Sequence, residues 1–124
     1  VLDHYQAFMD GLPVGHIDYD ARARVSDIEL SRHVAIEKIN STIARLAQID
    51  NDDRVLLVSM DVGMSEVKRN EPQRSTVGRE LVFLHGHLIH HEALVAFILR
   101  ALNISLADNN IGLAPSTIKH KEAL

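Results

Sequence analysis

The chain has 124 residues, with 13 Lys and Arg against 17 Asp and Glu, a formal charge of −4, 46% hydrophobic residues, no Cys, no Trp and eight His. That length holds one domain, residues 1–124, with one sizeable core, and so large an aliphatic share excludes a disordered chain. Without cysteine there is no disulfide, no thiol nucleophile and no Cys-held zinc or iron–sulfur site, so a metal would have to rest on His, carboxylate or water. The acidic balance and the 4% aromatic content argue against nucleic acid as a partner. The longest apolar run, Ala93 to Leu99, falls far short of a membrane span, and no charged stretch leading into an apolar one opens the chain, which points to the cytoplasm.

In chain order, Val1, Tyr5, Phe8 and Leu12 repeat at spacings of four, three and four, predicting an amphipathic helix that ends at Gly11-Leu12-Pro13. It starts without a cap, so the helix is expected to continue upstream of Val1. Residues 13–25 are polar and irregular and are expected to form a connection. Ser26 and Glu29 make a capping box for a second helix from Asp27 to Gln48, with Ile36, Ile39, Ile43 and Leu46 as its buried face. Val55 to Val58 predicts a short strand, pairing with Ser65 to Lys68 across a turn at Val62-Gly63, and residues 69–75 are expected to be a polar loop. Val77, Leu81, Leu84, Leu88, His91, Val95, Ile98 and Leu102 alternate spacings of four and three, predicting a third long helix with that seam in the core. Pro115-Ser116-Thr117 opens a short last helix. Together these elements predict an all-α four-helix bundle with a small β excursion between the second and third helices.

Four histidines, His85, His87, His90 and His91, crowd the third helix. At about 100° per residue, His91 lies roughly 20° and His87 roughly 60° from the centre of the apolar seam, while His85 and His90 fall on opposite flanks. His87 and His91 are also an i, i+4 pair, one turn apart, a spacing at which two neutral imidazoles chelate one divalent ion at about 2.0 to 2.1 Å. Glu80, near the seam two to three turns earlier, is a candidate carboxylate behind such ligands. The same two imidazoles also fit a core in which each is hydrogen-bonded to a backbone or carboxylate partner. The His91-Glu92 pair does not extend to a zincin motif, because Val95 stands where the second histidine would be, and no glycine-rich phosphate loop or nucleophile elbow occurs.

The segment Val77 to Leu94, with Ile111-Gly112-Leu113-Ala114-Pro115-Ser116-Thr117, Val1-Leu2-Asp3-His4-Tyr5 and Asp18-Tyr19-Asp20-Ala21-Arg22, resembles the DinB-like superfamily of bacterial metal-binding four-helix bundles. The resemblance implies an up-down-down-up bundle holding one divalent metal on three histidines, with His87 and His91 as two of them. The third is expected on the first helix, three residues before an acidic residue matching Asp3, a position just off the start of this chain. A histidine upstream of Val1 fills that place, or else His4, one turn along. The implied ion is zinc or nickel, with iron, cobalt and manganese as alternatives. The implied function is a metal-dependent thiol transferase or hydrolase acting on a small molecule or a low-molecular-weight thiol, or a non-catalytic stress-response bundle. A homodimer is expected in either case.

Overall fold

The computed structural model describes residues 1–22, 27–50, 54–61, 63 and 71–123. They fall into two compact units, Leu2–Leu81 and Val82–Leu124 with Val1.

In the first unit, helix α1 (Leu2–Gly11) buries Phe8 and Met9 and passes into a 3-10 turn, Leu12–Val14, with Pro13 in its first positions. Strand β1 (His16–Asp18) follows at once. Gly11 is required here: a Cβ at this position would lie 2.5 Å from the His16 carbonyl oxygen and 2.8 Å from the Ile17 Cα, so only glycine lets the helix end approach the strand so closely. Strand β1 pairs in parallel with β2 (Val55–Ser59), Ile17 opposite Val58, and β2 pairs antiparallel with β3 (Gln73–Thr76), Leu56 opposite Ser75. The sheet order is β1-β2-β3. Along β2 the pleat sends Leu56 and Val58 into the core and Val55 and Leu57 outward.

Parallel strands need a crossover, and here it carries α2 (Asp27–Leu30) and α3 (Arg32–Leu46). The single helix expected from Asp27 to Gln48 is broken at Ser31, which is extended at φ −131° and accepts the Val34 N–H at 3.4 Å as the cap of α3. The face expected to be buried on α3 is also corrected. Ile36, Ile39 and Ile43 are exposed, Ile43 by 59%, whereas Thr42 is buried. α3 reaches α1 through polar side chains: Lys38 Nζ donates to Gln6 Oε1 at 2.6 Å and Arg45 pairs with Asp10 at 2.9 Å.

The three-stranded mixed sheet overturns the all-α four-helix bundle. Residues 13–25 were expected to be a connection, yet Ile17 and Tyr19 within them are fully buried. A three-residue strand with one apolar side chain carries no periodicity to detect, and its pairing comes from β2, some 40 residues on. The polar stretch expected at 69–75 ends in β3, a strand whose place depends on backbone hydrogen bonds rather than on apolar side chains. The expected capping box at Ser26 and the pairing with Ser65 to Lys68 lie outside the described residues.

Helix α4 (Val77–Ala101) begins in the first unit and is the main element of the second. Its end is a Schellman motif. Asn103 takes the left-handed position at φ 57°, its N–H donates to the Arg100 carbonyl at 3.0 Å, and the Ile104 N–H reaches the Leu99 carbonyl at 2.9 Å. The returning loop lies on the helix at Gly112, whose missing Cβ would stand 2.5 Å from the Ala93 N and Cα. Helix α5 (Pro115–Glu122) starts with proline in its first turn, as expected. The seam of α4 is core over part of its length: Val77 and Leu84 are fully buried, but Val95, Ile98 and Leu102 are exposed, Ile98 by 55%. With a mean hydropathy of 1.4 over its most apolar 18 residues, α4 is long and apolar enough to cross a membrane by length and composition, although its longest uninterrupted apolar run is not.

Candidate functional site

The chemistry-bearing side chains of α4 form a ladder at i, i+4 spacing: Phe83, His87 and His91. The Phe83 and His87 rings are stacked, 6.1 Å between centroids and 20° between planes. His87 and His91 meet edge to face at 4.6 Å and 74°. His90 approaches His91 from the side at 5.4 Å. His87 and His91 are half-buried, with the Nε2 atom of His87 covered, while His85 and His90 are exposed. Burial, then the charge of the Val1 amino group and the neighbouring His90, holds His91 below the ordinary imidazole range. His91 is therefore neutral at pH 7, able to accept a proton at one nitrogen and donate one from the other.

Glu80 belongs to a different cluster, in the first unit. It is 1% exposed and accepts three hydrogen bonds: from the Tyr19 hydroxyl at 2.8 Å, from Ser75 Oγ at 2.5 Å and from an Arg79 guanidinium nitrogen at 3.2 Å. A buried carboxylate demands such donors, and strand β3 and the residue after β1 supply two of them. Burial, then the hydrogen bond and the charge of Glu80, pushes Tyr19 far above the usual phenol range, so the hydroxyl stays protonated and donates. The His4 ring lies 5.8 Å from that of Tyr19, tilted by 33°. Asp3 lines an open cleft of about 380 Å³ with Gln6, Asp10, His16 and Asp18. Sequence reasoning missed Tyr19 and Ser75. The available signal was Glu80 itself, since an acid at the edge of an apolar seam calls for hydroxyl or cationic donors elsewhere in the chain.

Among the described residues no three His, Asp or Glu side chains converge to hold a divalent ion. The metal-binding character expected of the chain is corrected on that finding. His87 and His91 supply two nitrogens, and Glu80, expected behind them, is committed to Tyr19, Ser75 and Arg79.

No family model matches the chain, and no solved structure matches it. Among curated proteins it is similar to FK506-binding protein 5 of Rhizopus delemar, 36% identical over 107 residues, a match that takes in 84% of this chain and 27% of that protein. The chain thus spans about a quarter of the length of the relative it matches. Neither this relative nor the mixed sheet supports the DinB-like resemblance, which is withdrawn together with its metal centre.

Proposed function

We propose that the chain is a ligand-binding module for small apolar molecules and proline-containing segments, with peptidyl-prolyl isomerase-like turnover as its reaction. The observation that carries this reading is the 36% identity over 107 residues to a protein named for binding FK506. Within the chain, the ladder on α4 has suitable chemistry. Rotation about an X–Pro bond is slow because amide resonance sets a barrier of about 18 to 20 kcal/mol. A site lowers it by withdrawing the amide from water and directing a donor at the prolyl nitrogen, which weakens the resonance. Phe83 offers a flat apolar face for the pyrrolidine ring, and neutral His91 offers an N–H.

The test is titration of the chain with FK506 and with a proline-containing tetrapeptide, followed by the ring signals of His87 and His91 and by cis–trans exchange of the peptide. Both ligands should shift the two histidines, and exchange should quicken by about tenfold or more, a barrier drop of about 1.4 kcal/mol. Phe83→Ala and His91→Ala should each abolish the gain. Unmoved histidine signals with either ligand would refute the reading.

The neutral His91 beside His87 favours a second reading, in which His91 is the general base of a hydrolase or transferase acting on a small molecule. Turnover of a small ester would then rise with pH to a plateau, with its midpoint below about pH 6.5, the ordinary imidazole value. A His91→Gln chain with full esterase activity would dispose of it.

A further inference from the structure

The C-terminal half of α4 carries an apolar stripe that no described residue covers. Leu94, Val95, Ile98 and Leu102 are about half exposed or more, and they fall within about 100° of one another around the helix. Phe97, still more exposed, borders them, and the segment from Ala93 to Leu99 holds no charged residue. The rest of the second unit covers a different face. Gly112 brings the returning loop onto Ala93, about 140° around the helix from Ile98, and the buried Ala96 lies about 160° from Ile98. The loop thus takes the far side and leaves the stripe to solvent. A bilayer suits the stripe poorly: the length and mean hydropathy of α4 would allow a span, but four histidines and Glu92 stand midway along it.

We infer that this stripe is a homodimer surface, on which α4 of a second copy packs antiparallel, Ile98 opposite Ile98 and Leu94 opposite Leu102. The spacing selects a helix as the occupant, because His91, Val95, Ile98 and Leu102 are four, three and four apart, the alternation of a seam between two helices. The symmetry selects a second copy. Leu94 lies one turn before Ile98 and Leu102 one turn after it, so an antiparallel copy meets like with like, and the opposed helix dipoles attract. The area is sufficient: Leu94, Val95, Phe97, Ile98 and Leu102 leave roughly 500 Å² per copy open to water, so two copies cover roughly 1,000 Å² before any polar rim is counted, the threshold of a specific interface. An interface of that size gives a reversible dimer, with dissociation on the order of 10 µM, and a monomer with an open stripe at greater dilution. Phe83 and His87 take no part in it, so its failure and that of the isomerase reading are separate outcomes.

The experiment is sedimentation velocity of the whole chain from about 1 µM to about 300 µM, over which mass action should carry the mean mass from one chain toward two. Leu94→Lys and Leu102→Glu each set a charge against an apolar partner and should each stay monomeric throughout. Mixed in equal amounts, the two variants should associate about tenfold or more tightly than either does alone, because the antiparallel pairing brings Lys against Glu at one end and restores Leu against Leu at the other. Misfolded chains cannot produce that rescue. A single-chain mass at every concentration would overturn the inference, and binding of that monomer to phosphatidylcholine vesicles would assign the stripe to a bilayer instead. A dimer that both variants leave intact, or a mixture that stays monomeric, would overturn it as well.

Discussion

Both units expose large apolar side chains, Ile43 and Leu30 in the first as well as Phe97 in the second, but they differ in how much apolar surface they seal. In Leu2–Leu81, Phe8, Ile17, Tyr19, Leu56 and Val77 are sealed, and even a charged residue, Glu80, is 1% exposed because three donors meet it. In Val82–Leu124, Leu84 and Ala96 are buried, while Phe97 on the same helix is 71% exposed, along with Leu94, Val95, Ile98 and Leu102. The first unit closes its core with a sheet, in which every other side chain of β2 is covered from one side. The second relies on one long helix, a loop lying on it at Gly112 and a short terminal helix of low apolar content. A helix can thus be strongly apolar in sequence and still carry little of the molecule's burial.

The sharpest way to break that contrast is a matched pair of truncations. Leu56→Ala should cost about 2 to 5 kcal/mol through lost transfer energy and a residual cavity, whereas Ile98→Ala should cost less than about 0.5 kcal/mol. Urea unfolding midpoints, taken too dilute for self-association, decide it, and equal losses would mean that the α4 face is covered even in the single chain. Next in size, Gly112→Ala should cost about 1 to 3 kcal/mol, since it combines a left-handed φ of 77° with an overlap on the Ala93 backbone. The loss should appear as faster amide exchange around residues 104–114, and unchanged exchange there would show that the loop does not rest on the helix.

The smallest effect concerns the buried acid. Tyr19→Phe removes one donor to Glu80 and should cost about 1.5 kcal/mol at pH 7, near the low end for a bond to a charged group. Its pH signature is more specific. Tyr19 has a folded pKa raised above its unfolded value, so its contribution is full below about pH 10 and is lost as pH climbs toward the folded pKa. Stability of the parent chain should therefore fall on that alkaline limb more steeply than that of Tyr19→Phe. Parallel limbs in the two chains would show that the phenol is not held protonated by the fold.

Local signals explain which elements were legible. The strict alternation from Val77 to Leu102 marks α4, and Pro115 marks α5, because both depend on neighbours three and four residues away. The helix arithmetic also brings His87 and His91 onto adjacent turns, where their rings meet at 4.6 Å, but it did not single out Phe83, the third member of the ladder, which lies off the apolar seam. Strand β1 was missed because its only strong apolar residue is Ile17, and β3 because Gln73, Arg74, Ser75 and Thr76 look like a loop until β2 is beside them. The supposed interior face Ile36, Ile39 and Ile43 shows the opposite error. Periodicity correctly finds the stripe but says nothing of what covers it, and α3 meets α1 through Lys38 and Arg45 instead.

Composition and spacing by themselves determined that cysteine chemistry is absent, that α1, α4 and α5 are helices with given ends, and that two histidines share one helical face. Those properties are written within a turn or two of chain. The tertiary structure alone decided that β1 runs parallel to β2, that Glu80 is an acid held by Tyr19 and Ser75 rather than a partner of a metal ligand, and that Gly112 returns to Ala93 and leaves Leu94 to Leu102 open. Each of these joins residues far apart in the sequence, and the free energy of such pairings depends on which surfaces the folded chain brings together, a quantity no local pattern of side chains contains.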